Sequence, residues 1–170
     1  MRRFALLLAP VLIMAFSKAD WITIKLDKRV SVDFPYQPET SETNGNAIWS
    51  TNKDTAFKCM AMVVNFAQFG LDSAAVAKEL DGEPFYAGFK SSMLEKMKGA
   101  SVLSEEITKV NGWPAYKLTV ALGSNANNMD RVYISNIFVG DKMYSLSFYE
   151  STARPQLISR KKFLESVIIK

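Results

Sequence analysis

The chain alternates between segments with an apolar residue at every second position and segments with apolar residues every three or four positions. The clearest period-two segment surrounds Asn111-Gly112, where strand-like runs at 101–110 and 113–122 flank a two-residue loop. Asn-Gly favours a type I′ turn, which needs positive φ at both positions, so a hairpin is predicted here. The turn fixes the register so that Val110 faces Trp113, Ile107 faces Tyr116, Leu103 faces Val120 and Glu106 faces Lys117.

Three further strand pairs follow from the same pattern. They comprise 21–26 with 30–34, 47–51 with 56–66 around a turn at 52–54, and 131–139 with 142–150 around Gly140-Asp141. The strand at 56–66 is apolar on both faces, which predicts that both are covered. The polar segment 36–46 is predicted to run over the surface as a loop, although it contains Asn44-Gly45.

Helical spacing dominates from Leu71 to Gly99. Asp72 or Ser73 is predicted to cap a first helix, and a second helix is predicted to start at Pro84 and stop at Gly99. This second helix carries an apolar stripe of Phe85, Phe89, Met93 and Met97. We interpret the stripe as the packing face of a helix on a sheet, and an adaptable ligand-binding surface is the alternative.

A final helix is predicted to open at Pro155. Its packing face would consist of Leu157, Leu164 and Ile168, widened by Phe163 and Val167. The predicted order is therefore four strands, a broken helix, four strands and a terminal helix. We expect an α+β fold with a largely antiparallel sheet of about seven strands.

The first 19 residues have the pattern of a secretory signal peptide. Arg2 and Arg3 precede an apolar run from Phe4 to Phe16, and Ser17-Lys18-Ala19 offers small residues for cleavage before Asp20. A transmembrane anchor is the alternative, but the run is shorter than the roughly 20 residues that a spanning helix needs. We therefore expect a signal peptide at 1–19 and a single domain at 20–170, in the bacterial periplasm or secreted space.

Cleavage would change the charge of the chain. The whole sequence has 21 Lys+Arg against 17 Asp+Glu, and Arg2, Arg3 and Lys18 would leave with the signal peptide, so 18 basic residues would face 17 acidic ones. A net charge of +1 indicates neither a nucleic-acid partner nor an anionic membrane surface. The single cysteine, Cys59, has no internal disulfide partner and lies in an apolar strand, which predicts a buried structural thiol.

Few arrangements of residues could carry catalysis or hold a metal. The chain has no histidine, which excludes Ser-His-Asp and Cys-His nucleophilic catalysis and the usual zinc ligand sets. Glu105-Glu106 are adjacent on a strand and point to opposite faces. Asn125, Asn127 and Asp130 lack the spacing of an EF-hand and are interpreted as a solvated turn. We expect no catalytic residue, no cofactor and no metal site.

Two tryptophans and one basic run remain as candidate contact residues. Trp113 at the hairpin tip is a possible partner contact if it is exposed, and packing against Val110 is the alternative. Trp49 is the second possible partner contact. Arg160-Lys161-Lys162 is interpreted as the solvated face of the final helix, with a docking surface for an acidic partner as the alternative.

Several segments resemble the PsbP/Mog1-like superfamily, especially its small exported bacterial members. They are VSVDFPYQPE from Val30, the mid-chain helix, VNGWPAYKLTV from Val110, the strand pair from Tyr133 to Phe148, and KKFLESVII from Lys161. The resemblance covers nearly all of 21–169 and implies an antiparallel sheet between helices. Relatives include extrinsic photosystem II subunits and a regulator that binds the GTPase Ran, so it implies binding to larger partners. Histidine-dependent metal binding, known among some relatives, lacks its ligands here.

These observations favour an exported, non-catalytic binding or accessory module that acts through protein contacts or a small ligand in the cell envelope. A hydrolase that uses Asp and Glu is one alternative, and a cleft with two carboxylates of displaced pKa would favour it. A structural component of an envelope assembly is another. The sequence specifies neither the partner nor the oligomeric state.

Overall fold

The computed structural model describes residues 21–54, 56–123 and 128–170. The predicted signal peptide at 1–19 and the candidate loop residues Asn125 and Asn127 lie outside the described residues, so both interpretations stay predictions. No helix in the described ranges is long and apolar enough to cross a membrane.

The described part of the chain forms a large sheet, a small sheet and three α-helices. In chain order the elements are β1 (Ile22–Lys25), β2 (Val30–Phe34), β3 (Glu39–Thr43), β4 (Asn46–Ser50), β5 (Phe57–Asn65), a 3-10 turn (Phe66–Phe69), α1 (Ser73–Leu80), α2 (Glu83–Lys96), β6 (Ser101–Val110), β7 (Trp113–Ala121), β8 (Arg131–Val139), β9 (Lys142–Glu150), α3 (Leu157–Glu165) and β10 (Ile168–Ile169). The large sheet has seven antiparallel strands in the order β3-β4-β5-β9-β8-β7-β6, and the small one has the order β1-β2-β10. The predicted α+β class and seven-stranded antiparallel sheet are confirmed.

The β6-β7 hairpin turns as its sequence predicts. Asn111 and Gly112 have φ of 51° and 84°, the positive values that a type I′ turn requires. Val110 faces Trp113, Ile107 faces Tyr116 and Glu106 faces Lys117, as expected. The predicted pairing of Leu103 with Val120 is wrong, because a bulge between Val102 and Ser104 puts Val102 opposite Val120 and leaves Leu103 exposed.

The predicted surface loop at 36–46 is also wrong. Residues Glu39–Thr43 form β3, which pairs with β4 through a turn at Asn44 and Gly45, both with positive φ. All five residues of β3 are exposed. An edge strand with no covered face needs no apolar alternation, so the period-two pattern that marks the other strands is missing here.

The two faces of the large sheet are covered differently. On one face, α2 packs through its predicted stripe against a cluster of buried residues that includes Tyr116, Leu118 and Phe138. On the other face, α3 and the small sheet cover Cys59 and other buried residues of the central strands. The Phe34 ring of the small sheet lies 5.2 Å from the Phe163 ring of α3, in an edge-on arrangement. The sheet therefore has one helical layer and one mixed layer.

The end of α2 and the start of α3 differ from the sequence prediction. The second helix ends at Lys96 rather than Gly99, and α3 begins at Leu157 rather than Pro155. The predicted packing face of the last helix is only partly right. Phe163 and Val167 are buried, but Leu157 and Ile168 are exposed, because the helix stops at Glu165 and Ile168–Ile169 pairs with β2 as a short strand.

Candidate binding groove

An open groove lies beside α2, on the face of the large sheet that this helix only partly covers. Its cavity volume is about 410 Å³. One wall is α2, the base is formed by β5, β9 and β8, and the far rim reaches the β3-β4 turn. We call it the methionine groove, after the five methionines that line it: Met60, Met62, Met93, Met97 and Met143.

The five methionines come from three elements, and local geometry explains why they converge. Met60 and Met62 lie two apart on β5 and so share one face of the strand. Met93 lies on α2, and Met97, four positions later, is the C-cap residue of this helix. Met143 on β9 faces Val64, next to the Met62–Ser145 pair. Among the methionines of the described ranges, Met129 alone does not line the groove.

Three phenylalanines complete the apolar lining. Phe89 projects from α2, and Phe66 and Phe69 come from the 3-10 turn that follows β5. The Asn65 side chain caps this turn, and Gly70 ends it with φ of 76°. Phe66 stacks on Phe138 with ring centroids 6.3 Å apart, whereas Phe69 is largely exposed at the groove's edge. The turn therefore holds one ring against the core and leaves the other exposed at the edge of the groove.

A buried polar strip runs along the base of the groove. Asn136 on β8 pairs in register with Ser145 on β9, Ser147 follows two positions later, and all three are buried. The Asn136 side-chain amide donates to the Tyr116 carbonyl oxygen at 3.4 Å. Burial raises the pKa of Tyr149 at the end of the strip, so its hydroxyl stays protonated and available as a donor. The groove thus combines apolar walls with a base that can form hydrogen bonds.

Asp27 and Glu105, two carboxylates with a lowered pKa, lie outside the groove and accept hydrogen bonds. Burial opposes ionisation of Asp27, but hydrogen bonds from Lys142 at 2.8 Å and Tyr144 at 2.6 Å outweigh it and lower the pKa of this carboxyl. Glu105 accepts from Tyr116 and Lys90, and these bonds lower its pKa. A general acid needs a raised pKa, so neither carboxyl suits that role.

Comparison with solved structures supplies the fold name. Cyanobacterial PsbP (CyanoP) from Synechocystis sp. PCC 6803 matches over 92% of this chain and 96% of its own, with a TM-score of 0.60 at 10% identity. The chain has the PsbP/Mog1-like fold. The Ran-binding protein Mog1p of Saccharomyces cerevisiae matches over 89% of this chain and 96% of its own, with a TM-score of 0.49 at 9% identity. No protein-family model and no curated protein matches the chain.

Within this PsbP/Mog1-like fold, the two candidate tryptophans lie far apart. Trp49 on β4 is partly buried and packs against the core on the α3 face. Trp113 lies at the tip of the β6-β7 hairpin, 37% exposed. Three strands, β5, β9 and β8, separate β4 from β7 in the sheet, so the tryptophans form no common site. Trp113 keeps the exposure that a partner contact needs, whereas Trp49 contributes mainly to packing.

The basic run of α3 is less solvated than the sequence suggests. Arg160 donates to the buried Glu150 carboxylate and lies over the Tyr133 ring, with its guanidinium carbon 3.8 Å from the ring centroid. Lys162 lies over the Trp21 ring at 5.0 Å. Lys161 is exposed and forms only a long ion pair of 4.0 Å with Glu165. One of the three residues is therefore a structural tie between α3 and the sheet.

The methionine groove itself is absent from the sequence-based list of candidate residues. The spacing of Met93 and Met97 does indicate a helix face, for which a binding surface is an alternative. Met60 and Met62 alternate on a strand whose second face needs a cover. The sequence does not show how much of the sheet α2 covers. In the structure, the two pairs of methionines line an open groove and do not pack fully against each other.

Proposed function

We propose that this protein is an exported, non-catalytic binding module that takes a small apolar ligand with one polar group into the methionine groove. The observation that carries the proposal is the convergence of five thioether side chains from β5, α2 and β9 on one open groove. Methionine side chains are unbranched and polarizable, so such a lining adapts to ligands of different shape. The volume of about 410 Å³ lies in the range of small-molecule sites.

The buried polar strip suggests how such a ligand is oriented. Its apolar part would lie against the thioethers and phenylalanine rings, and its polar group would reach Asn136, Ser145 or Ser147 on the base. A purely hydrophobic ligand would form no hydrogen bond with these groups, whereas a ligand hydroxyl could add one, which contributes roughly 0.5–1.5 kcal/mol. We therefore expect medium-chain alcohols to bind more tightly than alkanes of the same length.

The non-catalytic part of the proposal is supported by the lowered pKa of Asp27 and Glu105, which disfavours acid catalysis by these groups. Export rests on the pattern of residues 1–19. It predicts that the protein recovered from the periplasm or medium of an expressing bacterium begins at Asp20. N-terminal sequencing of that fraction tests it, and recovery of an uncleaved chain in the cytoplasm would contradict it.

Fluorescence of N-phenyl-1-naphthylamine, which rises in an apolar site, tests the groove. We expect the native protein to enhance the fluorescence in a saturable manner and decanol to displace the dye. Met62→Gln, which puts an amide in the groove at nearly constant length, should weaken dye binding several-fold. Met129→Gln is the matched control outside the groove and should leave binding unchanged. Equal binding by the two variants would refute the proposal.

A further inference from the structure

Strand β6 forms one edge of the large sheet. β6 is ten residues long and ends the strand order, with pairing to β7 on one side only within the described part of the chain. The bulge at Leu103 limits the flat portion to residues 104–110. Such an edge offers unpaired N–H and C=O groups to another chain.

The backbone groups that point outward follow from the hairpin register. A two-residue turn closes on a hydrogen-bonded pair, here Val110 and Trp113, and hydrogen-bonded and non-bonded pairs then alternate. Pro114, opposite Lys109, has no N–H, which agrees with a non-bonded pair at that position. The N–H and C=O groups of Lys109, Ile107 and Glu105 therefore point away from β7.

These outward residues are complementary to themselves in an antiparallel arrangement. If two β6 edges meet about a twofold axis at Ile107, this residue faces its own copy and Glu105 faces Lys109 of the other copy, twice. All three residues have outward backbone groups, so each of these pairs can exchange hydrogen bonds. Opposite charges and paired β-branched side chains both stabilise such cross-strand neighbours.

Neighbouring registers are less favourable. A shift of the axis to Glu106 puts this carboxylate against its own copy and sets Ile107 against Glu105. A shift to Thr108 removes the Glu105–Lys109 pairs. Like charges directly opposite each other destabilise a strand pair, so the charges on β6 select the register centred on Ile107.

Burial and space on both faces of the hairpin agree with this arrangement. Ile107 is 58% exposed, and Leu103 and Trp113 on the same hairpin are also exposed. Open cavities of about 420 and 640 Å³ flank β6, one on the α2 side and one on the α3 side. They leave room for the side chains of a neighbouring strand.

We propose that two copies of this chain pair antiparallel through the β6 edges about a twofold axis at Ile107, which joins two seven-stranded sheets into one of fourteen strands. The contact is limited to seven residues on each side, which is small for an obligate dimer, so the dimer dissociates on dilution. The methionine grooves lie beyond the contact, on the far side of α2 from β6.

Sedimentation velocity of the mature protein over a range of micromolar concentrations tests the pairing. We expect a reversible monomer–dimer equilibrium. Ile107→Pro removes an outward N–H and should raise the dissociation constant by roughly tenfold or more, because both copies lose a hydrogen bond and proline cannot pair across the axis. Ile107→Ala keeps the N–H and should raise it less. Thermal unfolding of each variant checks that the monomer is intact.

Charge and register have their own controls. Lys109→Glu should abolish the dimer, and Lys28→Glu, an exposed lysine outside β6, should leave it unchanged. Under mild oxidation, Ile107→Cys should form a disulfide-linked dimer, and Thr108→Cys should not, because only position 107 lies on the axis. A monomer at all concentrations, a dimer insensitive to Ile107→Pro, or equal crosslinking at 107 and 108 would each overturn the proposal.

Discussion

Arg160→Met tests how α3 is attached to the large sheet. Glu150, at the end of β9, is 1% exposed and accepts hydrogen bonds from the Arg160 guanidinium at 2.5 Å and from the Gln156 backbone N–H at 2.7 Å. The Arg160 side chain is mostly buried as well, and its guanidinium lies over Tyr133. Methionine keeps the length and apolar stem of arginine but removes the charge, so the buried carboxylate loses its cation.

The expected loss of stability depends on which group of the ion pair loses its partner. An uncompensated buried charge destabilises a fold by about 3–5 kcal/mol, and loss of the cation–π contact adds about 0.5–1 kcal/mol. The Gln156 N–H still satisfies one carboxylate oxygen, which favours the lower end, so we expect about 3–4 kcal/mol. Glu150→Gln keeps an acceptor for Gln156 and leaves only Arg160 unpaired, near solvent, so it should cost less, about 1–2 kcal/mol.

Urea denaturation followed by tryptophan fluorescence measures these differences, because Trp21 and Trp49 pack against the core that α3 helps to cover. The double variant Glu150→Gln/Arg160→Met should be less destabilised than the sum of the single variants, since the unpaired charge is removed. Lys161→Met is the matched control on the exposed side of α3 and should change stability by less than about 0.5 kcal/mol.

Two results would refute this reasoning. If the Arg160→Met and Lys161→Met variants had the same urea midpoint and the same slope of unfolding free energy against urea concentration, the ion pair would not stabilise the attachment of α3. If the double variant were as unstable as the sum of the single ones, the cost would come from lost packing of the arginine stem rather than from a stranded charge.

The remaining predictions concern a turn, a thiol and a carboxylate. Gly112→Val should lower the free energy of unfolding by about 1–2 kcal/mol, because φ at Gly112 is 84°. Gly88→Ala in α2, where the added methyl group also meets open space, should raise it by about 0.5–1 kcal/mol. If both substitutions shifted the urea midpoint in the same direction, the turn argument would be contradicted. Cys59 is fully buried and burial raises the pKa of its thiol, so a thiol reagent should label it only after unfolding, and rapid labelling of the native protein would disprove this. Folding lowers the pKa of the Asp27 carboxyl below its ordinary value of 3.8, so the ionised carboxylate stabilises the fold above pH 3.8. This stabilisation is lost as the pH falls toward the folded-state pKa. Asp27→Asn should therefore flatten the acid side of the plot of stability against pH, and an unchanged slope would argue against the bonds from Lys142 and Tyr144.

The parts of the fold that the sequence predicts are those specified by neighbouring residues. The turns at Asn111-Gly112 and Gly140-Asp141 set the register of their hairpins, because turn geometry and a period of two leave few alternatives. The α2 stripe is specified in the same way, by spacing along one helix. β3 is not, since a fully exposed polar strand has no pattern, and the bulge at Leu103 has no local marker in an otherwise regular run.

The candidate site depends on distant residues and was therefore harder to predict. Whether Trp113 is exposed depends on what packs near the hairpin tip, and whether Trp49 is buried depends on α3, more than a hundred positions later. The methionine groove requires β5, α2 and β9 to meet in one place. The chemistry that the sequence excludes needed no such information, because it follows from the complete absence of histidine.

The short strand β10 has a consequence for how the chain is made. Ile168 pairs with Ser31, and the Lys170 N–H donates to the Arg29 carbonyl oxygen at 3.0 Å, so the small sheet joins the two ends of the described chain. During synthesis, β1 and β2 emerge from the ribosome long before their third strand exists. β2 therefore lacks its second neighbouring strand, and Phe34 lacks the Phe163 ring of α3, until more than a hundred further residues have been made. Closure of the small sheet is therefore a late folding step that joins segments far apart in the sequence.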